Sequence, residues 1–518
     1  MATLVSRITG FARTVLLAAV LGVSAVADAY NGANVFPNMV YSLLLGGVLS
    51  SVVVPVLAQS RLRSRVVDDE FVQRFLAVVV FAAFVLTTAT VVAAPVLAAF
   101  FVDAGPQRDL TRMWAYFFLP QVFFYAVAAL VTAVLNVRGR FGAPSWAPVI
   151  NNLIVIGTLG LFVIMPGPTV LSPTSLSAGQ ILVLGAGTTL GIVGQAAWCV
   201  LLLRRTGFRW RWRVRLVPYT MRPVRVGVRM TAWLLVYVAA SQIGVTAVTR
   251  VAFDHNSVST FAYADLLIQL PYGVVAVSIL TVLAPRMARA AASVELSYLR
   301  AELRRGARYL LALLIPIAGA FVVLAPTVST LMFTGRVATD DAALIGNAVA
   351  ASMFGLPALA VVMLQLRACY SVSDTRTPAL INILMVAIKV TVIAVGITLT
   401  PGVPALIVLC VSGSVSYVVG AIAGHLVLRH RYGLLGFRRV AETGARSALN
   451  TALAALAALA GMWTANQTLP LPPSFTRSAL LALTAATVGM AVFGYLLRIV
   501  RIPEITRTSN MVRQLART

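Results

Sequence analysis

Two arginines stand inside the first apolar stretch of the chain, in Ser6-Arg7-Ile8-Thr9-Gly10-Phe11-Ala12-Arg13, and no acid accompanies them. The stretch predicts a membrane helix over residues 4–22. A cation at membrane depth costs from about 3 to more than 10 kcal/mol, so such residues face a bundle interior or a watered cavity rather than lipid. A guanidinium presents a planar fork of donors that suits phosphate and carboxylate oxygens. The chemistry expected is therefore noncovalent: reception of an anionic group within the membrane. Arg7 can also snorkel to the headgroups. Arg13 lies about 9 Å further in at ~1.5 Å per residue, and it is the sharper clue.

Few other charged or polar groups sit near membrane depth. Asp28 follows the first span, Arg250 lies at the outer end of the seventh, and Asp265 lies about one turn into the eighth. Arg250 and Asp265 flank a short loop and could pair, either as a gate latch or as plain charge neutralisation. Lys389 is the only lysine and falls within the eleventh span. It could stand in for a bound cation, pair with an acid or snorkel. Asn151, Asn152, Asn382 and Gln269 could line a cavity or bond neighbouring helices. With Lys389, Asn382 makes a candidate ion or tethered-cation site.

No catalytic constellation is present. A P-loop needs lysine after glycine, and Lys389 follows Ile388. His255, His425 and His430 have no HExxH context, and the acids Asp103, Asp109, Asp340 and Asp341 read as solvated loop charge. Cys199, Cys369 and Cys410 lie far apart in or beside apolar segments, which implies neither a disulfide framework nor a zinc site. No cofactor or metal is expected. A cleavable signal peptide is not evident, because Arg13 interrupts the first apolar segment.

The elements that must position these residues are membrane helices. The chain has 518 residues, 60% of them hydrophobic and 11% charged, with mean hydropathy +0.92. A soluble domain carries about 25% charged residues. Apolar runs of ~20 residues number fourteen, near 4–22, 34–57, 75–101, 114–135, 146–165, 180–203, 225–252, 261–284, 308–333, 343–367, 378–399, 404–427, 447–465 and 476–498. The fold class is an all-α polytopic membrane protein. Net charge is +26, which in a soluble protein would suggest nucleic acid. Here 33 of the 41 basic residues fall in loops after even-numbered spans or in the tail, four in the opposite loops and four within spans. The positive-inside rule then puts both termini in the cytoplasm, with the basic face toward anionic lipid and no nucleic-acid partner. Residues 204–224 alternate Phe208, Trp210 and Trp212 with arginines and read as an interfacial segment. Residues 295–308 suit an amphipathic helix leading into the ninth span.

The sequence repeats itself. Val54-Pro55-Val56 matches Ala284-Pro285-Arg286, an offset of 230, and Pro144 matches Pro378, an offset of 234. Six spans separate the copies, so the two halves share one orientation, as in parallel transporter repeats. Pro37, Pro271, Pro316 and Pro357, with Gly46 and Gly47, mark places where helices can bend.

The opening motif, Asp28-Ala29, Phe36-Pro37-Asn38 and Val54-Pro55-Val56-Leu57-Ala58 together resemble the MurJ (MviN) lipid II flippases of the MOP exporter superfamily. Gly139-Arg140-Phe141 through Pro144, Ala147-Pro148, Ser241-Gln242-Ile243, Tyr263-Ala264-Asp265 and Thr377-Pro378 fit the same pattern, and the likeness covers essentially the whole chain. The resemblance implies two pseudo-symmetric six-helix lobes around a cationic cavity plus two C-terminal helices. The expected domains are an N-lobe at 1–203, a basic linker at 204–224, a C-lobe at 225–428, a basic loop at 429–446, a lipid-tail groove at 447–498 and a basic tail at 499–518.

It further implies a transporter, not an enzyme. Lipid II would pass from the cytoplasmic to the outer leaflet by alternating access, without ATP hydrolysis. Arg7 and Arg13 would engage the diphosphate, while Ser6, Asp28, Asp265, Arg250 and Gln269 would line the cavity or its gates. The chain departs from the pattern where Tyr41, Ser42 and Gly46 replace an arginine pair and an acid, and where Leu266 and Gln269 replace an arginine and an acid. Other readings are an exporter of another undecaprenyl-linked saccharide or a drug, a membrane glycosyltransferase, and a scaffold for other cell-wall synthesis proteins.

Overall fold

Helix follows helix with breaks written in the sequence. The first ends where Gly22 adopts a left-handed conformation (φ 68°) and its N–H bonds the Ala18 carbonyl at 2.8 Å, the usual role of glycine past a helix end. Two residues later the Ser24 hydroxyl oxygen accepts the Ala27 N–H at 3.1 Å, capping the next helix. The computed structural model describes residues 2–43, 65–137, 140, 142, 144–168, 170–208, 224–292, 296–333, 335–433, 437–468, 475–499 and 504.

Among these residues the chain is all α and divides into two compact units, Met1–Ser259 and Thr260–Thr518. The first holds α1 (Ala2–Leu21), α2 (Ala25–Leu43), α3 (Arg65–Val92), α4 (Ala94–Phe101), α5 (Pro106–Phe118), α6 (Gln121–Val137), α7 (Ala147–Ile164), α8 (Ala178–Arg204) and α9 (Val224–Asp254). Helix α10 (Val258–Pro271) starts in its last residues. The second unit continues with α11 (Val277–Ala292), α12 (Leu296–Met332), α13 (Thr339–Ser352), α14 (Gly355–Ser371), α15 (Arg376–Leu399), α16 (Ala405–Tyr432), α17 (Phe437–Thr468) and α18 (Phe475–Ile499).

Eleven helical segments among the described residues are long and apolar enough to cross a membrane. Two bent pairs, α3 with α4 (55°) and α13 with α14 (53°), bring the number to thirteen. Of the fourteen expected spans, the one at 34–57 leaves the described residues after Leu43, taking Gly46, Gly47 and the 54–58 motif with it. The early boundary needs correction. With Ser24 as a cap, α2 begins at Ala25, so Asp28 lies in its first turn rather than between spans.

Lipid tails are as apolar as leucine, so within a membrane close packing rather than water expulsion holds helices together. Small residues permit it. A Cβ on Gly32 of α2 would overlap the ring of Phe253 of α9. Elsewhere on α2, Tyr30 packs edge-on against Trp114 and Phe118, and these rings and Leu119 are sealed from solvent. Phe208, expected at the interface beside Trp210 and Trp212, instead joins a buried cluster with Leu76, Leu130 and Cys199. Residues 209–223, Arg138, 434–436, 469–474, 500–503 and 505–518 lie outside the described residues.

In the second unit α12 runs unbroken through Pro316 and Pro326 and packs on α13, α14, α17 and α18. Its first turns carry the amphipathic stretch expected before the ninth span. Helix α10 passes into α11 through a π turn, Tyr272–Ala276, that starts directly after Pro271. Proline has no N–H to give the preceding turn, and the wider turn absorbs the break. Pro357 sits in the first turn of α14, just past the 53° bend.

Candidate functional site

Helix α1 packs along α7 and is hydrogen-bonded to it by Asn152. Asn152 Nδ2 donates to the Ser6 carbonyl at 3.2 Å and to the Thr9 hydroxyl at 3.0 Å, which uses both protons of the amide. Gly10 lies alongside: a Cβ there would stand 3.4 Å from Asn152 Nδ2, in ordinary contact. Asn152 thus bonds a neighbouring helix, and Ser6 contributes its backbone to that contact. Asn151, one position earlier, is buried with Oδ1 lacking a hydrogen-bond partner among the described residues.

Arg7 and Arg13 are both half-buried on this anchored helix. No carboxylate pairs with either among the described residues. The charge of Arg13 instead reaches the phenols of Tyr30 and Tyr125. Tyr125 of α6 stacks on Tyr41 of α2 with centroids 4.6 Å apart. The Tyr30 hydroxyl lies 2.6 Å from Thr188 Oγ1, and its ring packs edge-on against Trp114 and Phe118. Arg13 therefore lies within electrostatic reach of two phenols, Tyr30 and Tyr125. Tyr30 and Tyr125 carry no sequence signal that separates them from packing aromatics, because their nearness to Arg13 is a tertiary fact.

Asp28 is 1% exposed. Its Oδ1 accepts the Ser259 N–H at 2.7 Å and the Ser259 hydroxyl at 2.5 Å, and the Val258 N–H also points to the carboxylate. These are the first residues of α10, so the acid lies at the positive end of that helix. Arg250, paired with Asp265 in the sequence reading, has other partners. Its guanidinium donates to the Phe101 carbonyl at 2.9 Å and pairs with Asp103 at 2.9 Å and Asp254 at 3.1 Å. Asp103, read from sequence as solvated loop charge, keeps an 81% exposed side chain but tethers Arg250.

Asp265 belongs to a different cluster, within the second unit. Gln269, one turn on, hydrogen-bonds its carboxylate, and the Lys389 ammonium of α15 lies within electrostatic reach. Lys389 Nζ sits over the Tyr417 ring of α16 at 5.9 Å from the centroid. The structure thus joins three candidate residues, Asp265, Gln269 and Lys389. Asn382 is buried seven positions before Lys389 on α15. No cluster of three or more His, Cys, Asp or Glu suited to a metal occurs among the described residues.

The same unit has an apolar groove of about 750 Å³ lined by α12, α14, α16 and α17, with Arg304 and His425 among its few polar side chains. Gly319, Thr451 and Ala455 carry its wall into a smaller apolar cavity of about 270 Å³ between α12, α17 and α18. Arg304 also borders a mainly basic pocket of about 320 Å³ that contains Arg305, Arg308 and Arg439, with Glu504 paired to Arg308. An amphipathic molecule with an acidic head and a long tail suits such walls.

The family model described as lipid II flippase MurJ matches residues 17–476. A probable lipid II flippase MurJ of Rhizobium meliloti (strain 1021) is 30% identical over 419 residues, covering 78% of this chain and 74% of the relative. One of Haemophilus influenzae is 27% identical over 413 residues, covering 74% and 76%. Among solved structures, a lipid II flippase MurJ in an inward closed conformation superposes with TM-score 0.74 at 17% identity, covering 96% of this chain and 98% of the other. An inward-facing multidrug resistance MATE family transporter of the MOP superfamily gives TM-score 0.67 at 15% identity, covering 83% and 95%.

Proposed function

Because this chain belongs to the lipid II flippase MurJ family, we propose that Arg7 and Arg13 of α1 receive the diphosphate of lipid II as it is carried between leaflets by alternating access. The chain is a multi-pass membrane transporter of lipid II and not an enzyme. The observation that carries the site assignment is a pair of half-buried guanidiniums on one anchored helix, with no carboxylate partner among the described residues. Cations left without acids at membrane depth call for an anion from outside the chain. Hydrogen bonds to charged groups contribute about 1.5–3 kcal/mol each, which places the loss of one guanidinium at roughly ten- to a hundredfold in affinity.

Asp28, Arg250, Asp265 and Gln269 are read as gate or positioning groups, and Ser6 as part of the seat of α1. The apolar groove and the cavity beside α17 and α18 support the lipid-tail role proposed for 447–498. The charge asymmetry of the loops supports cytoplasmic termini, and the basic pocket at Arg304 supports contact with anionic lipid on that face. The 1–203 and 225–428 lobes remain part of this reading.

The test is complementation. Cells depleted of their own flippase would receive the wild-type chain or Arg13→Ala, with outer-leaflet lipid II read by an externally added cleaving toxin. Wild type restores cleavage and Arg13→Ala does not, at equal membrane levels. Equal restoration by both would remove Arg13 from the mechanism.

A further inference from the structure

Arg304 stands where two unlike walls meet, since it lines both the apolar groove and the basic pocket. The pocket is set for an anion by bonds within the chain. Arg308 is held at two points: its Nε donates to the Thr443 hydroxyl at 3.2 Å, and its Nη2 pairs with the Glu504 carboxylate. The Thr443 hydroxyl donates in turn to the Arg439 carbonyl at 3.0 Å, so the guanidinium is oriented from behind. Arg305 is matched by Glu302 at 3.2 Å. Arg304 and Arg439 have no acid partner among the described residues. Four guanidiniums thus meet two carboxylates, and the surplus positive charge faces a space of about 320 Å³ that Tyr309 also lines.

Glu504 lies beyond the end of α18, and its side chain is only 7% exposed in this basic setting. A carboxylate brings one charge and two oxygens. A phosphate monoester brings about −1.5 to −2 near pH 7 and three acceptor oxygens, which guanidinium forks bind in pairs. We propose that Arg304, Arg308 and Arg439 form a seat for a phosphate group, held here by the Glu504 carboxylate, so that an incoming phosphate and Glu504 compete for Arg308. Because Arg304 is shared with the groove, a lipid phosphate fits best, with its acyl chain on the apolar wall. The inference rests on the reading of this pocket as an anionic-lipid contact and adds its internal competitor. It does not involve Arg7 or Arg13. A seat closed part of the time binds in proportion to the fraction open, so loss of the competitor reads as a gain in affinity.

The test uses the purified full chain in phosphatidylcholine nanodiscs. Dioctanoyl phosphatidic acid, inorganic phosphate or dioctanoyl phosphatidylcholine is titrated in and followed by isothermal titration calorimetry, with empty nanodiscs subtracted. Wild type binds phosphatidic acid saturably, and Glu504→Gln binds it about three- to tenfold more tightly. Arg304→Gln/Arg439→Gln loses about tenfold or more, and phosphatidylcholine gives no saturable signal. Saturation by inorganic phosphate at the same concentrations assigns the seat to a soluble phosphate, and its silence assigns it to a lipid headgroup; competition by Glu504 holds in both cases. If Glu504→Gln binds no more tightly than wild type while the arginine variant loses binding, the pocket stays an anion contact and the competition is overturned. If folded Arg304→Gln/Arg439→Gln binds as tightly as wild type, the seat itself is overturned. Should that variant not fold, Arg439→Gln alone decides in its place.

Discussion

The carboxylate of Asp28 accepts both the backbone N–H and the hydroxyl of Ser259, 231 positions later in the chain. An acid in the first turn of α2 thereby caps the first turn of α10. Its acceptor capacity meets donors that would otherwise be left unbonded at a helix start. Asp28→Ala strands them and costs about 1–3 kcal/mol, lowering the unfolding temperature in detergent. Ser259→Ala removes the hydroxyl alone and costs less. If Asp28→Ala unfolds like wild type yet fails to complement, the acid serves the transport cycle instead.

One amide hydrogen-bonds α1 to α7. Asn152→Leu removes two hydrogen bonds at about 0.6 kcal/mol each, the average between membrane helices, and adds bulk against Gly10. A cysteine placed at Ser6 should become more reactive to a small thiol reagent when Asn152 is replaced. Unchanged labelling would mean that α1 is held by other contacts.

Gly32 and Phe253 share one volume. Gly32→Ala should be destabilising by about 1–3 kcal/mol, the range for overpacking. Phe253→Leu in the same chain should recover most of that loss, because a smaller side chain leaves room for the new methyl. A double variant no better than Gly32→Ala would disprove the steric account, and melting temperatures of the four proteins decide it.

Filling the apolar groove should block transport while leaving the fold intact. Ala455 lines both the groove and the cavity beside α18. Ala455→Trp is expected to insert normally, to melt within a few degrees of wild type and to complement poorly. Full complementation by a folded Ala455→Trp would separate this groove from the lipid tail.

Asp374, in the loop between α14 and α15, gives a pH dependence with a definite sign. Burial raises its carboxyl, but hydrogen bonds from Thr377 and the Arg431 charge outweigh this and hold it below the usual carboxylate range. Its contribution is present above the ordinary carboxylate value and fades as pH falls through the lowered one. Because Arg431 is 43% exposed, the effect is at most about 1 kcal/mol. Wild type should therefore lose its small advantage over Asp374→Asn on acidification from about pH 5 to pH 3. An advantage that grows instead would reverse the assignment.

Much of this was legible in the residues. Apolar run lengths locate eleven to thirteen of the expected spans among the described residues, and the lack of a nearby acid in sequence is what singles out Arg13 for the anion-binding role proposed above. Pairings across hundreds of positions were less accessible. Arg250 lies beside Asp265 along the chain, yet its partners are Asp103, Asp254 and the Phe101 carbonyl, because helix direction and packing decide which side chains meet. Lys389 could be flagged as odd but not matched to Asp265. Asp28 was misplaced because hydropathy is blind to the short Gly22 break that lets α2 begin at Ala25.

The π turn at Tyr272–Ala276 also bears on how this segment can change length over generations. A π turn holds one residue more than the α turn it interrupts. Loss of a single codon there would close the bulge into regular helix, with Asp265 on one side and Leu280 on the other keeping their own faces. Loss of one codon elsewhere in α10 or α11 would rotate everything beyond it by about 100°. Lineages of this chain therefore have one place in the segment where a deletion is silent in register, and it sits next to the proline that opened it.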